Sequence, residues 1–128
     1  MDQKWQSGNP LPMAKYAEID PHKFTEYSMN PSNPNNQGRW KAFEALGYNI
    51  DSPQNRQIAV ESIITQIRLQ LEHTSAILDE PSPYGTRFTV IISIVGLNHR
   101  EGKLVTKWQI DNNKTIPRLI TNWLQVLK

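Results

Sequence analysis

The side chains best suited to chemistry lie in the last third of the chain, where cations and aromatic rings follow one another at β-strand spacing. Arg87 and Thr89 come first, then Lys107 and Trp108, then Arg118. Successive strand residues point to opposite faces, so one face would carry cations and hydroxyls. Such a face suits RNA, because cations hold phosphates and rings stack on unpaired bases. An ordinary antiparallel sheet with a solvated face has a similar composition, and composition alone favours that simpler interpretation.

Other chemistries find less support in the sequence. His22, His73 and His99 lie far apart, and no HExxH motif, calcium-loop pattern or cysteine is present, so we expect no metal ion and no cofactor. There is no phosphate-binding glycine loop. Asp79 and Glu80 are adjacent, and adjacent strand residues point apart, which indicates a solvated turn rather than a paired-carboxylate site.

The overall composition indicates one water-soluble domain. The chain has 128 residues, a formal net charge of +2 and no cysteine, and no apolar run approaches the roughly 20 residues that cross a bilayer. We expect a cytoplasmic protein, since the N-terminus lacks the apolar core of a signal peptide. Residues 1–12 are predicted to be a flexible arm, because they contain Gly8, Pro10 and Pro12. Residues 13–128 are predicted to form a single α+β domain.

The elements that would position these side chains begin with helices. Residues 20–28 predict a short helix, and residues 39–46 predict a second one that ends at Gly47. Residues 53–73 give the strongest helical pattern, with Ser52 or its neighbour as the cap and a proline in the first turn. The apolar positions of this helix are Val60, Ile63, Ile64, Ile67 and Leu71.

The second half of the chain changes to a two-residue period. Residues 75–78, 86–95 and 104–110 are predicted to be strands, and residues 117–123 are interpreted as a strand rather than a short helix. A further short strand is predicted over residues 13–19. The fold class is therefore α+β, with two to three N-terminal helices packed on one face of a three- to four-stranded antiparallel sheet. The residues predicted to face the helices are Phe88, Val90, Ile92 and Ile94.

Three segments of the sequence carry a resemblance to a known family. The segments are, in order, "KFTEYSMNPSNP…RWKAFEALGY", "YGTRFTVIISIVGLNHREGKLVTKWQI" and "IPRLITNW", and the resemblance extends over residues 16–123. They resemble a family of small bacterial domains of unknown function (DUF6883-like). That family looks related to polymorphic-toxin nucleases of the barnase–EndoU–colicin–RelE-like fold. The resemblance implies a metal-independent ribonuclease that cleaves RNA, such as the tRNA that several members cut, by attack of the 2′-hydroxyl.

The resemblance includes one departure. Asn30, Pro31 and Pro34 match the family pattern, and Arg39 stands near its usual lysine. Asn33, however, stands where the family usually has histidine. Asparagine cannot exchange protons near neutral pH, so either that histidine is structural in relatives or this copy is weakened.

The resemblance also implies roles for individual residues. A metal-free ribonuclease needs cations that stabilise the charge on the phosphorus, and a guanidinium matches phosphate oxygens. Thr121 would bond a phosphate oxygen, and an aromatic ring would stack on a base. The catalytic candidates are Arg118, Thr121, Arg39 and Asn33, and the substrate-binding candidates are Arg87, Trp108, Lys107 and Tyr84.

The loop over residues 30–38 allows two interpretations. Its prolines and asparagines fix its shape, and a helix starting near Arg39 would offer free N–H groups as an anion seat. The loop would then form the rim of a phosphate-binding cleft, although a plain connector between helices needs the same residues.

Three functional hypotheses follow from these observations. The first is a ribonuclease toxin domain neutralised by a small acidic immunity or antitoxin protein. The second is a non-catalytic RNA- or protein-binding module. The third is a structural adaptor.

Overall fold

Helical segments precede a four-stranded sheet, as the change of sequence period predicts. The computed structural model describes residues 4–127. Over this range the α-helices are α1 (Trp40–Ala45) and α2 (Pro53–Leu71), and the strands are β1 (Ala76–Leu78), β2 (Gly85–Val95), β3 (Glu101–Asp111) and β4 (Arg118–Val126). The predicted α+β class is confirmed. None of the helices in this range has the length and apolar character needed to cross a bilayer.

Two short helical turns lie before α1. Phe24–Ser28 form one turn of π-helix inside the segment predicted to be helical. Ala14–Tyr16 form a 3-10 turn, so the strand predicted over residues 13–19 is wrong. Only Glu18 of that segment pairs with the sheet, through a single bridge to Arg118, because the chain turns away immediately on either side.

The helix α2 forms where the sequence predicts it. Ser52 Oγ accepts the backbone N–H of Asn55 at 3.1 Å, and Pro53 occupies the first turn, where its missing N–H has no cost. Ile63 and Ile67 are fully buried on the face that packs against β2. Burial of this face holds the helix on the sheet.

The four strands follow one another in the order β1-β2-β3-β4, and every neighbouring pair is antiparallel. Alternate β2 residues are buried against the helices, which confirms the predicted inward face of Phe88, Val90, Ile92 and Ile94. The opposite face, called the outer face below, carries Arg87, Thr89 and Ser93.

A β-bulge in β4 decides which of its side chains reach the outer face. The aligned pairs are Gln109–Arg118, Trp108–Leu119 and Lys107–Thr121. Ile120 is therefore an extra residue without a direct partner in β3. Because of this insertion, Arg118 and Thr121 lie on the same face although they are three residues apart.

Side chains of α2 cover the part of β2 beyond β1. Gln70 accepts the N–H of Ser93 at 3.0 Å and donates to its carbonyl at 2.7 Å. Gln66 does the same for Val95, at 2.9 and 3.3 Å. Each side-chain amide thus replaces the peptide group that a neighbouring strand would supply.

The segment before residue 13 packs on the domain from Lys4 onward, and the first three residues of the predicted arm lie outside the described range. The Trp5 indole donates to the Pro10 carbonyl at 3.0 Å, and its ring meets Phe88 edge-on at 5.1 Å. Leu11 is buried.

Candidate functional site

Arg39 is the centre of a cluster of rings and hydroxyls beside β4. Its Nη1 donates to the Tyr27 hydroxyl and, at 3.5 Å, to Thr121 Oγ1. Its guanidinium carbon lies 5.2 Å from the centre of the Tyr27 ring and 5.4 Å from that of Trp123, within cation–π distance. These contacts fix the position of the guanidinium. Among the described residues, both of its side-chain hydrogen bonds come from Nη1.

A second cation approaches the same indole ring from the sheet. Lys107 Nζ lies 5.9 Å from the centre of the Trp123 ring. It donates to Thr89 Oγ1 at 2.6 Å and contacts Asp79 Oδ2 at 3.4 Å. The Thr89 hydroxyl in turn donates to both oxygens of Asp79, at 2.8 and 3.0 Å. The ammonium is therefore fixed by three neighbours, and one of these carries the opposite charge.

Two open hollows meet at Ile120 and Thr121, and together they form what we call the Thr121 groove. The Tyr27 hollow has a volume of about 500 Å³, and the Trp123 hollow has about 490 Å³. The further residues of the Tyr27 hollow are Asp20, His22, Lys23, Glu26, Tyr27 and Asn33. Those of the Trp123 hollow are Asp79, Glu80, Pro81, Arg87, Lys107 and Trp123. The groove thus combines cations, carboxylates, hydroxyls and two aromatic rings.

Arg118 lies in a neighbouring row of the outer face and is held by a carboxylate. Its Nε and Nη2 donate to the two oxygens of Asp111, at 2.8 and 3.2 Å. These bonds, with one from Gln109, lower the pKa of Asp111 to about 2 and raise that of Arg118. Arg87 donates to Gln109 at 2.8 Å. Arg87, Gln109, Asp111 and Arg118 therefore form one hydrogen-bonded network. Arg118 does not line the groove, whereas Arg87 lines its Trp123 hollow.

The two rings predicted to stack on bases lie elsewhere. Trp108 is fully buried on the inner face, and its indole N–H donates to Thr106 at 2.8 Å. A base cannot reach it, so the assignment of Trp108 to substrate binding is wrong. The bulge puts Trp123 on the outer face instead. Tyr84 is exposed in the turn before β2 and is not among the residues that line the groove.

The loop over residues 30–38 is held by asparagine side chains, as its composition predicts. Asn33 donates to the Glu26 carbonyl at 2.8 Å and accepts the N–H of Asn35 at 2.8 Å. Asn36 is buried, and its amide nitrogen donates to the carbonyls of Tyr27 and Ser28. The loop therefore forms one wall of the Tyr27 hollow through Asn33.

The predicted anion seat at the start of α1 is wrong. The N–H of Trp40 donates to Asn36 Oδ1 at 3.2 Å, that of Lys41 to the Gly38 carbonyl, and that of Ala42 to the Arg39 carbonyl. The first N–H groups of α1 are thus used within the protein. Lys23 is the cation that lines the Tyr27 hollow, and Arg39 reaches the groove through its 3.5 Å contact with Thr121 Oγ1.

Sequence reasoning did not assign a role to Tyr27, Trp123 or His22, and it placed Asp79 in a plain turn. The bulge at Ile120 has no signature in the sequence, so the register of β4 could not be predicted. Tyr27 could have been found from its position one helical turn before the asparagine–proline loop.

Over residues 4–127, His, Asp and Glu side chains form no group of three that could hold a metal ion.

No curated protein and no solved structure matches the chain. The sequence does match a protein family over residues 10–126, which covers all four strands and both α-helices. The description of that family assigns it no activity. The chain belongs to the family described as Domain of unknown function (DUF6883).

Proposed function

We propose that the protein binds single-stranded RNA along the Thr121 groove and cleaves it without a metal ion. The observation that carries the proposal is the convergence of Arg39 and Lys107 on the Trp123 ring, beside the Thr121 hydroxyl. Cations next to an accessible ring match a phosphate next to an unpaired base.

Arg39 is the proposed phosphate ligand. Its guanidinium is oriented by Tyr27 and Trp123 and is half-buried, so it loses little further freedom when a phosphate binds. The Thr121 hydroxyl lies 3.5 Å from the same guanidinium and adds a hydrogen-bond partner for a phosphate oxygen. A fixed cation at this point stabilises the extra negative charge of the transition state.

The Trp123 hollow is the proposed site of a neighbouring nucleotide. Trp123 offers a ring for stacking, at about 1–3 kcal/mol per base. Arg87 and Lys107 line the same hollow and would bind the next phosphate. Lys107 is also held by Asp79, so a phosphate has to compete with that carboxylate.

The reaction requires no bound cofactor. The ribose 2′-oxygen attacks the adjacent phosphorus, the bond from phosphorus to the 5′-oxygen breaks, and the products are a 2′,3′-cyclic phosphate and a 5′-hydroxyl. Arg39 stabilises the negative charge that develops on the phosphorane. Arg118 can bind a phosphate only if that phosphate displaces the Asp111 carboxylate from its guanidinium. A small acidic protein that covers the groove would inhibit the reaction.

The test is cleavage of total tRNA and of a single-stranded oligoribonucleotide in EDTA. Arg39→Ala is expected to lower the rate by about 10²–10³-fold, the usual effect of removing one donor to a developing oxyanion. The matched control is Arg68→Ala, which removes an exposed arginine from α2, on the opposite side of the sheet. Wild-type protein that cleaves no RNA at high concentration refutes the catalytic proposal.

A second candidate function is RNA binding without cleavage. It is favoured by Asn33, which cannot exchange protons and whose amide is used in bonds to the Glu26 carbonyl and the Asn35 N–H. In that case Arg39→Ala weakens salt-dependent RNA binding, and no cyclic-phosphate product forms with either protein. If Arg39→Ala and Arg68→Ala bind RNA as the wild type does, the groove is not the RNA site.

A further inference from the structure

We propose that His22 is the acid–base residue of the Thr121 groove. The proposal rests on the ribonuclease activity proposed above. A ribonuclease of this type needs a group that takes the 2′-hydroxyl proton near neutral pH, and imidazole is the side chain whose unperturbed titration lies there.

His22 and Asn33 line the same hollow. The Tyr27 hollow brings both side chains to the groove, together with the Thr121 hydroxyl. The Asn33 side chain bonds the Glu26 carbonyl of the preceding helical turn and the Asn35 N–H of the loop, so Asn33 holds the wall and has no proton to exchange. His22 is therefore the side chain of this hollow that can exchange a proton near the Thr121 hydroxyl.

Asp20 orients the imidazole. Its Oδ1 lies 3.2 Å from His22 Nδ1 and also accepts the His22 backbone N–H at 2.9 Å. With the Asp20 carboxylate beside Nδ1, Nε2 is the nitrogen available to take a proton. This is the arrangement of a general base whose second nitrogen is held by a carboxylate.

The charges around His22 are balanced. Lys23 and Glu26 line the hollow with it, Tyr27 is the other titratable neighbour, and Arg56 borders the adjoining hollow on the side of α2. With Asp20, this gives two carboxylates and two cations. The charged groups around the imidazole therefore cancel one another.

The proton path is simple. Nε2 of His22 takes the proton of the 2′-hydroxyl as the 2′-oxygen bonds to phosphorus. The 5′-oxygen leaves with the electron pair of the broken bond and takes a proton from water. The imidazolium then returns its proton to solvent, so the protein is unchanged after one turnover.

The experiment compares His22→Gln, His73→Gln and Asp20→Asn on the same single-stranded oligoribonucleotide in EDTA, with kcat/KM measured from pH 5 to 9. His22→Gln is expected to lose about 10²–10⁴-fold and the rising limb of the profile. His73→Gln removes an exposed histidine at the end of α2 and should match the wild type. Asp20→Asn should lower the rate and alter the same limb.

Each outcome has one meaning. Cleavage by His22→Gln at the wild-type rate overturns the role of His22 and leaves the ribonuclease proposal intact. Loss of cleavage in both histidine variants also overturns it, because the effect is then not specific. Wild-type protein without any cleavage overturns both proposals. Because His22 and Asp20 are exposed, circular dichroism is expected to show the same fold for all variants.

Discussion

Replacement of Thr106 by valine should measure how much one buried hydroxyl of β3 contributes to the free energy of unfolding. Thr106 is fully buried, and its Oγ1 donates to the Val90 carbonyl at 2.6 Å. The same oxygen accepts the indole N–H of Trp108 at 2.8 Å. Valine has nearly the same shape, so the substitution removes both hydrogen bonds and leaves almost no cavity.

The expected cost follows from these two bonds. Loss of the bond to Val90 costs about 1 kcal/mol, and the indole N–H of Trp108, left buried without an acceptor, costs about 1–3 kcal/mol. Thr106→Val should therefore lower the free energy of unfolding by about 2–4 kcal/mol. Urea unfolding followed by far-UV circular dichroism measures the change, with an unaltered slope against urea.

A double-mutant cycle with Trp108→Phe isolates the bond between the two side chains. Phenylalanine has no N–H, so in the double variant no donor is left without an acceptor. The double variant should be more stable than the sum of the single effects predicts, by about 1–3 kcal/mol. Additive effects, within about 0.5 kcal/mol, would refute the inference that Thr106 satisfies the buried indole.

Two further predictions concern the outer face and the edge of the sheet. The Arg118 bond holds the pKa of Asp111 at about 2, below its usual 3.8, so this pair stabilises the fold above pH 3.8 and the contribution is lost as the pH falls through 2. In Arg118→Ala the carboxyl carbon of Asp111 should titrate closer to 3.8 in an NMR experiment, and a titration that stays near 2 would contradict the assignment of the cause. Gln70→Met should speed hydrogen exchange at the Ser93 amide, because that amide loses its acceptor. An unchanged rate would show that the side chain of Gln70 does not protect it.

The elements with a strong period were predictable from the sequence. The spacing of apolar residues in α2, with Ser52 as its cap, identified the helix almost to its ends. The alternation in β2 identified its buried face. In both cases local preference and burial favour the same structure, so a single sequence is enough.

The candidate site was less predictable, because it depends on register and on long-range contacts. Alternation along β4 would separate Arg118 from Thr121, and only the extra residue Ile120 brings them to one face. Arg39 is a candidate because it stands near the lysine of the family pattern, yet its partners Tyr27 and Thr121 come from other elements. No pattern among neighbouring residues of the sequence indicates contacts between segments so far apart in the chain.

The two glutamines that bond the end of β2 have a consequence for self-association. A foreign strand can add to a sheet only where backbone groups are free to pair, and Gln66 and Gln70 already occupy those of Val95 and Ser93. Amyloid-like growth from this side is blocked for as long as α2 stays docked. Loosening of that one helix, by heat or by mutation of its apolar face, would therefore open this part of β2 to pairing with a foreign strand.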